Sequence, residues 1–194
     1  MWATKAHSQA QSSATVPYRE IPRVNEDAKI VLIFIDFACP YCASMHDRLA
    51  RWGASLPRDW RVAFVPVTVQ SVESVMAARA YYAAAAADPG KFIQFVGAAY
   101  KHVGGDHRRM GQPQIWRAVA AEAKIKGFDE AFKRVDQKQV ADANAQLRLY
   151  GINKTPSIAI DGRFVITPDN ANGNVDTFFQ LANGLVSKAM TEAR

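Results

Sequence analysis

The chain has 194 residues, 49% hydrophobic and 22% charged, with a formal net charge of +6 and an isoelectric point of about 9.4. That balance excludes a disordered or low-complexity chain and fits one folded domain, or one domain carrying a sizeable insertion. Apolar runs fall far short of the ~18 residues a membrane-spanning helix needs. The basic residues are scattered rather than interleaved with aromatics, so they read as solvated surface, and no nucleic-acid partner is expected.

The stretch from Met1 to Thr15 is rich in Ala, Ser and Gln, lacks the apolar centre of a secretory signal, and reads as a flexible leader. Val16 to Val24, with Tyr18, Ile21 and two prolines, predicts a short edge strand. Ile30 to Ile35 is β-branched, aromatic and continuously apolar, the pattern of a strand buried on both faces. Helical signals begin directly after Cys39. Pro40 suits a first helical position, where its missing N–H is not needed. Cys42, Met45, Leu49 and Trp52 follow at i, i+3, i+7 and i+10 on one face, and Gly53 is placed to end that helix.

Arg61 to Val69 predicts a second buried strand, with Pro66 marking a bulge or a late exit. From Ser71 to Tyr150 the chain turns helical. Val72 to Ala87 stops at Asp88-Pro89-Gly90, Lys91 to His102 at Gly104-Gly105, and Pro113 to Lys126 at Gly127. Phe128 to Val135 is a shorter piece, and Gln139 to Tyr150 ends at Gly151. Two strands, Ser157–Ile160 and Arg163–Ile166, are joined by the hairpin signal Asp161-Gly162, and Asn174 to Met190 closes the chain as a helix. A β-α-β unit and a β-β-α unit can share one sheet, with the helical block between them as an inserted lobe.

The two cysteines are the only ones present and sit two residues apart. A disulfide closing so short a loop adds little scaffold stability, so Cys39 and Cys42 point to chemistry instead. A helix beginning at Pro40 puts Cys39 at its N-cap. There the free backbone N–H groups of Tyr41 and Cys42 and the helix dipole favour a thiolate. Cys39 is then the attacking nucleophile and Cys42, one turn in, the resolving thiol. A structural zinc site would need a second ligand pair. His46 with distant histidines is the remaining metal alternative, and no metal is expected. His46, His102 and His107 read as surface residues. Ala43 stands where a c-type haem attachment would require His, which excludes that reading.

Asp36-Phe37-Ala38-Cys39-Pro40-Tyr41-Cys42 resembles the active-site segment of the DsbA-like branch of the thioredoxin superfamily. The run from Gly151 through Thr155-Pro156 to Gly162 is similar to that branch's second signature, a cis-proline loop before a hairpin. The resemblance spans residue 16 to the C-terminus and implies an α/β thioredoxin fold with an inserted helical domain between the β-α-β and β-β-α units. The expected division is a leader at 1–15, thioredoxin-domain parts at 16–70 and 139–194, and the insertion at 71–138. It further implies a cis Thr155–Pro156 bond beside Cys39, with Pro40, Tyr41, Thr155 and Pro156 binding an extended substrate segment.

The activity implied is a monomeric periplasmic dithiol oxidase that passes the Cys39–Cys42 disulfide to unfolded or partly folded cysteine-containing proteins. It would need no cofactor and would be reoxidised by a membrane partner of DsbB type. Periplasmic residence requires an export signal removed from the chain, and a cytosolic location is the alternative. The same fold also serves reductases and isomerases. A thiol-based copper(I) module and a glutathione-transferase relative are the readings from other classes. Two departures stand out: Tyr41 replaces the His of DsbA, and Ile33 occupies a position where many superfamily members carry a buried acid; Asp36, three before Cys39 as in several DsbA-like relatives, is a candidate to assist proton transfer instead.

Overall fold

The structure, a computed structural model, describes residues 16–68 and 71–192. The leader expected at 1–15 lies outside them, as does Val69; the second strand, expected over Arg61 to Val69, ends at Pro66, with Val67 and Thr68 already out of it. Strands β1 (Arg19–Glu20), β2 (Ile30–Ile35), β3 (Arg61–Pro66), β4 (Ser157–Ile160) and β5 (Phe164–Ile166) form one sheet in the order β1-β5-β4-β2-β3. β2 runs parallel to β3 and antiparallel to β4, with Ile35 opposite Pro66 and Ile33 opposite Ile158.

β2 is the central strand, and its alternating side chains feed two layers. Val31, Ile33 and Ile35 join Cys42, Met45 and Leu49 of helix α1 (Pro40–Ala54) and Phe178 and Ala182 of the C-terminal helix. Leu32 and Phe34 face the other way and pack with Ala143, Leu147 and Tyr150. A continuously apolar β2 is what both faces require.

Between β3 and β4 run α2 (Val72–Ala87), α3 (Phe92–Val103), the short α4 (His107–Met110), α5 (Pro113–Glu122), α6 (Phe128–Arg134) and α7 (Gln137–Leu149); α8 (Val175–Glu192) follows β5. The fold is therefore a thioredoxin-type β-α-β and β-β-α sheet interrupted by helices, as the sequence implies. α4, capped by the Asp106 side chain on the Arg108 N–H, has no counterpart in the sequence reading.

Three helix boundaries differ for physical reasons. α1 passes through Gly53 to Ala54 instead of ending there. A Cβ at Gly53 would sit 3.2 Å from the Val62 side chain, so this glycine permits close packing of helix on β3. α5 stops at Glu122, short of Lys126. Lys124 adopts φ 56 while the Lys124 and Ile125 N–H groups donate to the Ala121 and Ala120 carbonyls, a left-handed helix terminus made without glycine. Gly127 instead opens α6 at φ 74. α7 begins early because Asp136 and Gln139 form a reciprocal cap.

The hairpin turn is as expected. Asp161 and Gly162 have φ of 57 and 65, and Arg163 N–H donates to the Ile160 carbonyl at 3.1 Å. Asp161 does more than turn the chain. It is buried, accepts from the Lys29 backbone N–H at 2.8 Å and pairs with Arg23 at 2.7 Å, tying the hairpin to the segment that enters β2.

Candidate active site

β2 ends at Ile35, and the following turn is fixed by Asp36. Its carboxylate accepts from the Ala38 N–H at 2.8 Å and its carbonyl from the Cys39 N–H at 3.1 Å. Cys39 is thereby set at the N-cap of α1 with extended backbone angles (φ −80, ψ 112), and Pro40 occupies the first turn. The Asp36 carboxylate, expected as a candidate for proton transfer, is used in this turn, with the His107 ring 4.0 Å from its other oxygen.

Cys39 and Cys42 are both free thiols, Cys39 half-buried and Cys42 fully buried. The Cys42 backbone N–H donates to the Cys39 sulfur at 3.3 Å, and as a thiol Cys39 donates to the Thr155 carbonyl oxygen at 3.5 Å. Donors to the sulfur, not the bond to the Thr155 carbonyl, hold Cys39 well below an ordinary thiol, at about 5 against 9.0. The largest cause is the hydrogen bond from the Cys42 thiol. Partial burial opposes it, while the Thr155 side chain and the Cys42 and Tyr41 backbone N–H groups add to it. The backbone donors anticipated from the sequence are there, but the neighbouring thiol outweighs them. Cys42 moves the opposite way, pushed well above the thiol range first by its bond to Cys39 and then by burial. One sulfur is a ready nucleophile and the other holds its proton.

The Thr155–Pro156 bond is cis, as the resemblance implies, and the loop brings Thr155 against Cys39 across the gap between α1 and β4. Pro156 is buried, whereas Pro40 and Tyr41 are exposed. The Tyr41 hydroxyl donates to the Gly173 carbonyl at 3.2 Å, bridging the cysteine loop to the segment before α8. Tyr41, Thr155, Pro168 and Gly173 line a groove of about 380 Å³ crossed by the Lys154–Asp169 ion pair. A larger cavity of about 520 Å³ between Thr68 and α7 contains neither cysteine nor Thr155. The smaller groove is the one that adjoins the nucleophile.

Two residues differ from, or escape, the sequence reading. His46 is not a surface residue: it is 5% exposed, packed under α3, with Nε2 at 3.1 Å from the Ile93 carbonyl. Its burial follows from its position one turn beyond Cys42 on the helix face that the insertion covers. Tyr100, from α3, is likewise buried, with its ring 5.8 Å from that of Phe37 and 5.5 Å from that of His46. Burial, then the charges of Cys42, Cys39 and Asp36, hold its hydroxyl well above the usual phenol range, so it remains protonated beside the sulfurs. A tyrosine reaching the site from a distant helix leaves no local signal in the sequence. Ile33, in the place of the buried acid, is wholly enclosed in the core. Among the described residues no group of three or more His, Cys, Asp or Glu is arranged to hold a metal ion, and no helix is long and apolar enough to cross a membrane.

Residues 23–177 match the family model described as Thioredoxin. Among curated proteins none matches the sequence. Among solved structures, DsbA of Pseudomonas aeruginosa superposes with a TM-score of 0.76 at 16% identity, covering 91% of this chain and 94% of that one. The oxidoreductase DsbA of Xylella fastidiosa gives 0.74 at 23% identity over 90% and 95% of the two chains. Reduced DsbA1 of Neisseria meningitidis gives 0.71 at 17% identity over 90% and 91%. At such identities the likeness establishes a shared fold, including the helices inserted between β3 and β4.

Proposed function

Because this chain belongs to the thioredoxin family, we propose that it is a protein thiol–disulfide oxidoreductase working as a dithiol oxidase through Cys39 and Cys42. The observation that carries the reading is Cys39 at the α1 N-cap, its thiol held at about 5 by Cys42, Thr155 and the helix N-terminus. A stabilised thiolate lowers the free energy of the reduced protein, which makes the disulfide form a better oxidant. In the oxidised protein a client thiolate attacks the Cys39 sulfur and Cys42 leaves. A second client thiol then displaces Cys39, which departs as the stabilised anion. No cofactor is required for either step.

The clients are unfolded or partly folded chains with accessible cysteines. Their extended segment would lie along the groove that Tyr41 and Thr155 line, touching Pro40 and Pro156 beside them, with Thr155 presenting backbone to it as an edge. We propose further that the protein acts as a monomer in the periplasm and is reoxidised by a membrane partner of DsbB type, as the resemblance of its two sequence motifs to the DsbA-like branch implies. We read residues 71–138 as the inserted helical domain.

Equilibration with glutathione redox buffers tests the direction. A reduction potential near about −120 mV, that of DsbA, supports the oxidase. A value near about −270 mV, that of thioredoxin, would make the protein a reductase.

A further inference from the structure

Buried Cys42 must gain or lose a proton each time the pair turns over, and the usual carboxylate position is filled by Ile33, which is wholly enclosed in the core. One buried base nearby has no assigned work. His46 stands at i+4 from Cys42, on the same face of α1, and helical side chains lean back toward the N-terminus, here toward Cys42. Its Nε2 faces a carbonyl oxygen, Ile93 O at 3.1 Å, so that nitrogen carries the hydrogen and Nδ1 keeps its lone pair. Nδ1 is buried without a hydrogen-bond partner among the described residues. A buried acceptor left open is unfavourable and calls for an explanation. α3 closes the space: Gly97 lies so near that a Cβ there would meet His46 Nε2 at 3.3 Å, and Tyr100 packs on both His46 and Phe37.

We propose that His46 is the proton acceptor for Cys42 when the mixed disulfide resolves, its ring set by the Ile93 carbonyl, Gly97 and Tyr100. The inference rests on the oxidoreductase reading and deepens it. With Cys39 joined to a client, the Cys42 S–H bond breaks as its proton passes to His46 Nδ1. The Cys42 sulfur attacks Cys39, the Cys39–client S–S bond breaks, and the client thiolate leaves to be protonated by solvent. One disulfide replaces another, and no outside oxidant enters. Oxidation of a client runs the same step backwards, with protonated His46 returning the proton to Cys42. The timing suits the site. The chief cause that holds the Cys42 proton in the resting pair is its bond to the Cys39 sulfur, and that cause is removed once Cys39 is in a disulfide. Burial keeps His46 below 6.5 and therefore neutral and able to accept; the charged group acting on it is the Asp47 carboxylate on its own helix, and from α3 the Tyr100 ring packs on it at 5.5 Å.

The test is single-turnover reaction of the reduced protein with excess glutathione disulfide, with acid quench and mass spectrometry. The concentration-dependent phase reads attack by Cys39, and the plateau reads resolution by Cys42. His46→Gln retains a donor for the Ile93 carbonyl and His46→Phe retains the ring; both should leave attack unchanged, slow resolution by about 10²-fold and accumulate the mixed disulfide. In the wild type the plateau rate should fall at acid pH as His46 protonates, a limb that Cys39 cannot produce because its sulfur is bonded. Resolution at the wild-type rate in either variant, or a wild-type plateau with no acidic limb, overturns the inference. Failure of the wild type to form any mixed disulfide would instead overturn the oxidoreductase reading beneath it.

Discussion

Acidifying the reduced protein is the sharpest perturbation the geometry offers. With Cys39 at about 5, about 99% of it is thiolate at pH 7 and about 10% at pH 4. A free cysteine near 8.5 is only about 3% thiolate at pH 7. Alkylation by iodoacetamide between pH 3 and 9, followed at Cys39 by peptide mapping, should therefore show a midpoint near pH 5. Removing the largest cause with Cys42→Ala should move that midpoint upward, leaving Thr155 and the backbone donors to hold the rest of the depression.

The same shift is a stability term. Fully expressed, the change from 9.0 to about 5 would amount to about 5 kcal/mol; Cys39 is about half-exposed, and solvent screening reduces this to about 2 kcal/mol. The sign follows from a depressed acid: the contribution is complete above the unfolded thiol value of 9.0, shrinks as pH falls and is gone below about 5. The disulfide form lacks it, so the reduced protein should gain on the oxidised one in urea melts as pH rises. A Cys39 midpoint at 8 to 9, or one indifferent to loss of Cys42, would refute the reasoning.

Other substitutions give separate checks. Cys39→Ala should abolish exchange, whereas Cys42→Ala should accumulate mixed disulfides with a cysteine peptide, both read by mass spectrometry. Tyr41→His should raise the reduction potential by placing an imidazole beside the Cys39 thiolate, measured against glutathione; an unchanged potential would remove Tyr41 from the tuning of the site. Asp161→Ala strands the Lys29 N–H and leaves Arg23 unpaired, a loss of about 2–4 kcal/mol in denaturant unfolding. Gly162→Ala would force a Cβ to 2.1 Å from the Val24 carbonyl oxygen at φ +65, costing about 3 kcal/mol in the same assay.

The elements that position the site were legible because their signals are local. An unbroken apolar β2, Pro40 after Cys39, and Asp161-Gly162 between two short strands each have one economical reading, and the structure follows all three. Glycine misled where tertiary packing gave it another use: Gly53 admits Val62 inside a helix, and Lys124 rather than Gly127 takes the left-handed helix end. The surroundings of the sulfurs were harder to read. His46 looked like a polar residue on a helix surface because the sequence does not say that α3 covers it, and Tyr100 reaches Cys42 only through the way the inserted helices dock. The order of causes at Cys39 was hidden for a similar reason, since it depends on where the Cys42 thiol points. Local pattern identifies the reacting atoms, and long-range packing decides their proton chemistry.

The central claim is that Cys39 and Cys42 pass a disulfide to a client. Oxidised protein mixed with an equimolar reduced peptide containing two cysteines should yield the peptide disulfide and the Cys39–Cys42 dithiol, through an intermediate linked at Cys39. A peptide that remains reduced while the protein keeps its disulfide, or a covalent intermediate at Cys42 alone, would contradict it.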